Sequence, residues 1–413
     1  MTGYTELAER FGTPAYVYDL DRIAAAKRDL FAALPEEAHL FYAVKANPHP
    51  ELVREMCAGT GRGCRAEISS VGELAAVLAA GACAADVLYT GPGKTEGELT
   101  EALERGVRLF SVESPGDLRR TGEAAGRLGV VADCLLRVNS ASASASTSIR
   151  MTGVPSQFGF DSETLPGLRD ELTGVPGTRI AGAHFFPLSN AKDEASLIAE
   201  FRHTIGVAAG LQEELGVRFR LVDIGGGFAA PYAVAGDRPV YGELRAALAQ
   251  TLDAHFPGWR EGAPRIAFES GRYLVGDSGT LLAGVVNLKE SRGRRFAILD
   301  GGINTFGGMS GLGRILPVSV ELHGPQAPAE QVASLVGPLC TPGDVLGRDI
   351  PLPALAPGDV VAVPNAGAYG PTASLLMFLG RPAPVEIVVR GDDVVSASRI
   401  EHTRAYAYGR GER

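Results

Sequence analysis

Lys45 stands at the end of an apolar run, Phe41-Tyr-Ala-Val-Lys-Ala-Asn47. At the C-terminal end of a buried strand its ammonium would lose hydration, which lowers a lysine's pKa and frees the amine for Schiff-base chemistry. The same pattern also fits a surface lysine lying along a strand end. A second segment, Asp223-Ile-Gly-Gly-Gly-Phe228, sets three glycines in a row. Such a run lets backbone N–H groups approach an anion closely, phosphate being the usual guest, although a tight turn would need glycine as well. It is not the dinucleotide pattern, because no third spaced glycine follows. In Glu269-Ser-Gly-Arg-Tyr273 a carboxylate and the Arg272 guanidinium could serve opposite ends of one ligand, such as a ring nitrogen and a phosphate, or pair with each other. Further candidates are His184 at the end of Ala-Gly-Ala-His, Cys340 in Gly337-Pro-Leu-Cys340, and Tyr369 between turn residues in Asn365-Ala-Gly-Ala-Tyr-Gly370. A lone histidine or cysteine is more often a core residue than a catalyst, and no H-x-x-x-H or similar metal spacing occurs.

These residues fall at the ends of regularly spaced strand candidates: LFYAVKA, RAEIS, DVLYTG, RLFSVE, CLLRVN, IAGAHFF, FRLVDIG and RIAFES. Amphipathic segments such as PELVREMCAG, VGELAAVLAAG, EGELTEALERG and EASLIAEFRHTIGVAAGLQEELG lie between them, with the apolar spacing of helices that cover a sheet. About eight strand–helix units over roughly 250 residues match a closed parallel barrel, whose active sites form at the C-terminal strand ends; a doubly wound open sheet is the competing arrangement. Beyond Tyr273 the runs GTLLAGVVNLKES, RRFAILDGG, PVSVELHG, VVAVPNAGA and PVEIVVRGDDVVSASRI follow one another through Gly/Pro turns, as in an antiparallel β domain. The expected layout is an N-terminal segment 1–30 lending the strand PAYVYD to the β domain, a barrel over 31–275 and a β domain over 276–413. Ser140–Ser148 (SASASASTS) reads as a mobile loop.

With 413 residues, 45% hydrophobic and 21% charged, the chain has the composition of a globular protein of more than one domain. A net charge of −9 argues against nucleic acid and anionic membranes as partners, and no apolar run is long enough for a membrane span. Five scattered cysteines without C-x-x-C spacing argue against a disulfide framework or a zinc site and for a cytoplasmic location.

Taken in order, YAVKAN, SSVGEL, His184, DIGGGF, ESGRY, GPLC and NAGAYG resemble the fold-type III pyridoxal-phosphate decarboxylases, which include the diaminopimelate, ornithine and arginine enzymes. The resemblance runs from about Thr13 to the C-terminal strands. GVPSQFGFD, FESGRYL, GPLCTPGDVLGRD and FLGRPAPVEI look like the butirosin-pathway branch, which acts on a glutamyl group held by an acyl carrier protein. The resemblance implies a (β/α)8 barrel plus a β domain. It implies pyridoxal 5′-phosphate held by Lys45 as a Schiff base, with Glu269 on the pyridine nitrogen and His184 stacked on the ring. Gly225, Gly226, Gly227, Arg272 and Tyr369 would hold the phosphate, and Glu67 and Glu73 would stand near the site. It assigns Arg137, Cys340, Thr341 and Tyr369 to the substrate. Cys340 would be the acid that protonates Cα, supplied with Tyr369 by the second subunit of a homodimer.

Three departures narrow the substrate. Thr341 stands where the family often has an acid that binds the distal ammonium of a basic amino acid, and a buried ammonium without a carboxylate is costly. His184-Phe-Phe-Pro-Leu-Ser189 replaces the usual H-x-G-S, leaving Ser189 as a possible substitute hydroxyl. Asp300-Gly-Gly-Ile-Asn-Thr-Phe-Gly-Gly lacks the acid that ornithine-type enzymes use for the substrate tail. The expectation is therefore a decarboxylase of an amino acid or a derivative, including a carrier-tethered one, in specialised metabolism, with Arg314 and Arg348 as rim candidates for an acidic carrier. The alternatives are a diaminopimelate or siderophore-pathway decarboxylase, and a silent pyridoxal-phosphate-binding paralogue.

Overall fold

The computed structural model describes residues 3–59, 61–140, 155–191, 193–307 and 331–405. Its residues cluster into two compact units, one of 22–230 with 237–276 and one of 1–21, 231–236 and 277–413. The first strand, β1 (Ala15–Asp19), belongs to the second unit. The expected division after residue 30 falls inside the helix Leu20–Ala33, most of which belongs to the first unit.

The first unit is a parallel barrel. Its strands are β2 (His39–Ala43), β3 (Arg65–Ile68), β4 (Val87–Tyr89), β5 (Leu109–Val112), β6 (Ala132–Asn139), β8 (Thr178–Phe185), β9 (Leu221–Asp223) and β10 (Arg265–Ser270). A short strand β7 (Phe160–Asp161) pairs beside β6. The β5–β6 and β2–β10 pairings close the ring, which excludes the open sheet. Most positions of these strands are buried, as parallel strands covered on both faces must be. Phe41, Leu88, Leu135, Ala181, Leu221 and Ala267 turn inward and fill the barrel with one apolar layer. The C-terminal strand ends above this layer are left to polar side chains.

The second unit is a mostly antiparallel sheet. β11 (Gly279–Ser291), β12 (Arg294–Leu299), β13 (Gln331–Val336), β14 (Val345–Leu352), β15 (Val360–Val363), β16 (Val385–Arg390) and β17 (Asp393–Arg399) run in the order β14-β13-β12-β11-β1-β16-β17, with β15 on β11. Leu7, Ala15, Val17, Leu282 and Ile387 form its buried core. Arg348 is exposed on β14. The strand candidate PVSVELHG, the rim candidate Arg314 and the loop 141–148 lie outside the described residues. Among the described residues, no helix is long and apolar enough to cross a membrane.

Candidate active site

Strand register places the barrel's polar side chains at one level. Arg137 on β6, His184 on β8 and Asp223 on β9 are direct partners across the sheet. Glu269 lies two residues beyond Ala267, the partner of Asp223, and so shares its face one step higher. His184, Asp223 and Glu269 are all fully buried, and one ligand atom from each lies within 4.8 Å of the others. Local sequence spacing could not reveal this cluster, because three separate strands supply it.

Two contacts lock the His184 ring. Nδ1 lies 2.7 Å from the Ser111 hydroxyl, and Nε2 lies 3.1 Å from Glu269 Oε1. Nε2 and Oε1 are nevertheless not aligned for a hydrogen bond, so both remain buried polar atoms open to a further partner. The two carboxyls of the cluster are driven apart. Burial would raise Glu269, but the adjacent His184, then Lys45 and Arg137, hold it down at about 2. Burial and then the Glu269 charge push Asp223 well above the ordinary carboxylate value, against the bond its Oδ1 accepts from Gly225 N–H at 2.9 Å. Two neighbouring carboxyls driven in opposite directions let a small buried space keep one fixed negative charge on Glu269.

Lys45 departs from the sequence expectation. The strand ends at Ala43, and Val44–Ala46 form a 3-10 turn that carries the lysine onto the barrel mouth. Its flanking residues are buried, and its own side chain is 41% exposed at the mouth. Lys45 Nζ instead lies 3.3 Å from Glu67 Oε2, whose carboxylate is buried and also accepts from the Thr90 hydroxyl. Phe186 lies under the ammonium at 5.6 Å and under the Arg137 guanidinium at 5.7 Å. Glu73 stands nearby, its carboxyl raised to about 7 by burial and by the Glu67 charge, against the bond from Ser69 N–H and the pull of Lys45.

The glycines of 225–227 are dictated by close approach. A Cβ on Gly225 would lie 2.3 Å from the Phe185 carbonyl, and one on Gly226 would lie 2.7 Å from the Glu269 carbonyl. Gly225 and Gly227 also have φ of +84° and +121°, where other residues are strained. Arg272 opens the short helix Arg272–Val275 directly after β10.

Lys94, Thr90 and Ser111 were missed by sequence reasoning. Lys94 is fully buried, and its Nζ contacts Asp117 Oδ2 at 2.9 Å, the Ser111 carbonyl at 2.8 Å and the Gly91 carbonyl at 2.5 Å. It thus ties the end of β5, whose Ser111 braces His184, to the loop after β4, whose Thr90 braces Glu67. The signal available was a lysine in a Gly/Pro-rich loop, which normally reads as solvent-exposed.

Cys340, Thr341 and Tyr369 belong to the other unit. Cys340 is exposed in the turn between β13 and β14. Thr341 Oγ1 accepts from Gly343 N–H, and Asp344, the next carboxylate along, is buried and accepts from Ile303 and Leu339 N–H groups at 2.8 and 2.7 Å. Tyr369 has φ of +52°, and its carbonyl accepts from the Tyr232 hydroxyl. Ser189 is half-buried two residues after Pro187.

The barrel-mouth residues fit pyridoxal 5′-phosphate. The glycine cradle has no room for a Cβ, Glu269 Oε1 is a buried acceptor free to take a ring N–H, and Lys45 offers an amine at the rim. The comparisons agree. A family model described as the pyridoxal-binding domain of pyridoxal-dependent decarboxylases matches residues 20–276. The chain is 32% identical over 397 residues to an L-glutamyl-[BtrI acyl-carrier protein] decarboxylase of Niallia circulans, covering 94% of this chain and 91% of that one. It is 32% identical over 396 residues to a diaminopimelate decarboxylase of Aquifex aeolicus, covering 94% and 89%. A diaminopimelate decarboxylase from Helicobacter pylori, solved with L-lysine, superposes with a TM-score of 0.81 at 26% identity over 95% of each chain. A further neighbour, an SrLDC mutant at TM-score 0.78 and 26% identity, was solved with PLP and covers 94% of this chain and 95% of that one. With this match across nearly its whole length, and with a barrel mouth built to hold the cofactor, the chain belongs to the pyridoxal-dependent decarboxylases.

Proposed function

We propose that this decarboxylase acts on an acidic or amidated amino-acid derivative of the glutamyl type, presented on a carrier, and not on a free diamino acid. One observation carries the substrate reading. The position after Cys340 is Thr341, and the nearby Asp344 is already bound to two backbone N–H groups, so neither offers a free carboxylate to a distal ammonium. The similarity to the Niallia circulans glutamyl-carrier enzyme supports the same reading.

When bound, pyridoxal phosphate supplies an aldehyde for the substrate amine and a ring that accepts the electron pair left as CO2 departs. Glu67 orients Lys45 Nζ and exchanges a proton with it across 3.3 Å. Glu269, ionised down to about pH 2, would hold a proton on the cofactor's ring nitrogen through Oε1, which has no hydrogen-bond partner among the described residues. His184 is fixed between Ser111 and Glu269 and offers its flat face to the ring. Gly225, Gly226, Gly227, Arg272 and Tyr369 take the phosphate, and Arg137 faces the substrate carboxylate. The Cys340 thiol, exposed on its turn, delivers a proton to the substrate Cα. Cys340 and Tyr369 come from a second copy, in a homodimer with shared sites. Five unpaired cysteines suit a reducing compartment, and we place the enzyme in the cytoplasm.

Carbon dioxide release from a carrier-tethered glutamyl thioester, free glutamate, diaminopimelate, lysine and ornithine tests this directly. The tethered substrate is expected to exceed each diamino acid by at least about a hundredfold in kcat/KM, the scale of one unpaired buried charge. Comparable turnover of diaminopimelate would overturn the substrate reading and leave the decarboxylase intact. In the same assay an equal mixture of inactive Lys45→Ala and Cys340→Ala chains should regain up to about a quarter of wild-type activity, since half the dimers would hold one complete site. No recovery after subunit exchange would refute the shared site.

A further inference from the structure

The opposite end of the barrel carries a second concentration of charge. Five adjacent strands begin with a basic residue: Arg65 on β3, His39 on β2, Arg265 on β10, Arg220 directly before β9 and Arg179 second on β8. Beneath the barrel lies a cavity of about 740 Å³ lined by Arg179, Arg218, Arg220 and Arg265, with Asp133 as its one acid and Leu109, Ala181 and Leu221 among its apolar lining. Asp133 is already paired with Arg179 at 2.6 Å, and Asp86 lies 3.6 Å from Arg65. Among the described residues, no carboxylate is ion-paired with Arg218, Arg220 or Arg265.

Gathering more guanidiniums than the two nearby carboxylates, Asp133 and Asp86, can balance costs free energy, and the neighbouring groups register it. Arg265 is pushed below its ordinary value by burial and then by Arg65 and Arg220, against the pull of Asp133 and Asp86. His39 is lowered to about 4 by burial and then by Arg65, Arg265 and Arg62. In a chain of net charge −9 this is a local inversion of sign with a concave shape. It is separate from the cofactor site. Arg265 and Glu269 lie at opposite ends of β10, roughly 13 Å apart at 3.3 Å per residue, with the apolar layer of Phe41, Leu88 and Leu135 between the two ends.

We propose that this basal cavity binds a phosphate-bearing small molecule with at least two negative charges. Planar guanidiniums grip phosphate oxygens in pairs, and three of them without partners can neutralise a diphosphate. The volume admits a body larger than the phosphates themselves, and the apolar lining would receive it.

The test is calorimetric titration of the cofactor-loaded enzyme with sodium diphosphate, so that the glycine cradle above is already filled. One saturable site per chain is expected, with affinity reduced about tenfold or more in each of Arg220→Gln and Arg265→Gln, the value of one charge-assisted bond. The unliganded variants are expected to unfold at or above the wild-type temperature, because like-charge repulsion is relieved. Arg218, Arg220 and Arg265 are all exposed, so the variants are expected to fold, and Arg218→Gln provides a third readout should either fail. The proposal fails if diphosphate gives no saturable heat, or if its affinity is unchanged in all the folded variants. It also fails if citrate at matched ionic strength binds as tightly, because the site would then not select phosphate.

Discussion

Replacing Glu269 with glutamine is expected to lower kcat by about 10²–10³-fold while leaving the fold and the bound cofactor in place, the loss seen when one preorganised electrostatic group is removed. The carboxylate is fully buried, yet His184, Lys45 and Arg137 overcome the burial and hold it at about 2. It therefore carries a full negative charge throughout the working pH range, and on the proposed function that charge would keep a proton on a cofactor ring nitrogen bound at Oε1. An amide of the same shape accepts a hydrogen bond without the charge, so the cradle survives and the electron sink is weakened. A carboxylate with a depressed pKa stabilises the fold fully above its ordinary value of 4.5, and this contribution is lost as pH falls toward about 2. The variant should therefore show a smaller loss of stability with acid over that window. Steady-state kinetics and cofactor titration of the variant check both points. A kcat within threefold of wild type would remove Glu269 from the chemistry.

The second large effect is expected at Lys94, which touches no reacting atom. Lys94→Met removes the nearest cation from Asp117, in the first turn of the helix Pro115–Arg127, where both side chains are 1% exposed; only Arg120 at 3.6 Å and the Glu113 N–H at 3.1 Å then remain to the buried carboxylate. Breaking a buried pair from one side costs about 3–5 kcal/mol. The variant also frees the Ser111 and Gly91 carbonyls, and with them the strand end that braces His184 and the loop next to Thr90. The double variant Lys94→Met with Asp117→Leu removes the under-compensated buried charge, leaving the exposed Arg120 to solvent, and is expected to recover most of the unfolding temperature. If Lys94 positions the site, this double variant keeps a reduced kcat and an altered His184 ring signal in NMR. If stability and turnover recover together, the lysine serves the fold alone.

Much of this architecture is legible in the residues themselves. The eight barrel strands are short apolar runs closed by turn residues, and all eight stand where those runs fall. β13 and β14 escaped because QVASLV and VLGRDIPL alternate only weakly and carry polar or glycine breaks. The site was legible as motifs and not as geometry. Lys45, Glu269 and the triple glycine announce their types along the chain, whereas the joining of His184 to Asp223 and Glu269 is a matter of register between strands far apart in sequence. The motif alone puts Lys45 on the strand itself, whereas a single 3-10 turn just beyond the strand carries it. Ser111, Thr90 and Lys94 act through hydrogen bonds across strands and loops, and no local pattern distinguishes them from ordinary polar residues.

The most direct test of the account is the absorption spectrum of the purified protein, with added pyridoxal phosphate, for wild type and Lys45→Ala. The account predicts a visible cofactor band in wild type that survives gel filtration and borohydride treatment as a covalent adduct, and no such adduct in Lys45→Ala. A wild-type protein that takes up no cofactor, or a Lys45→Ala protein that forms the same adduct, would contradict it.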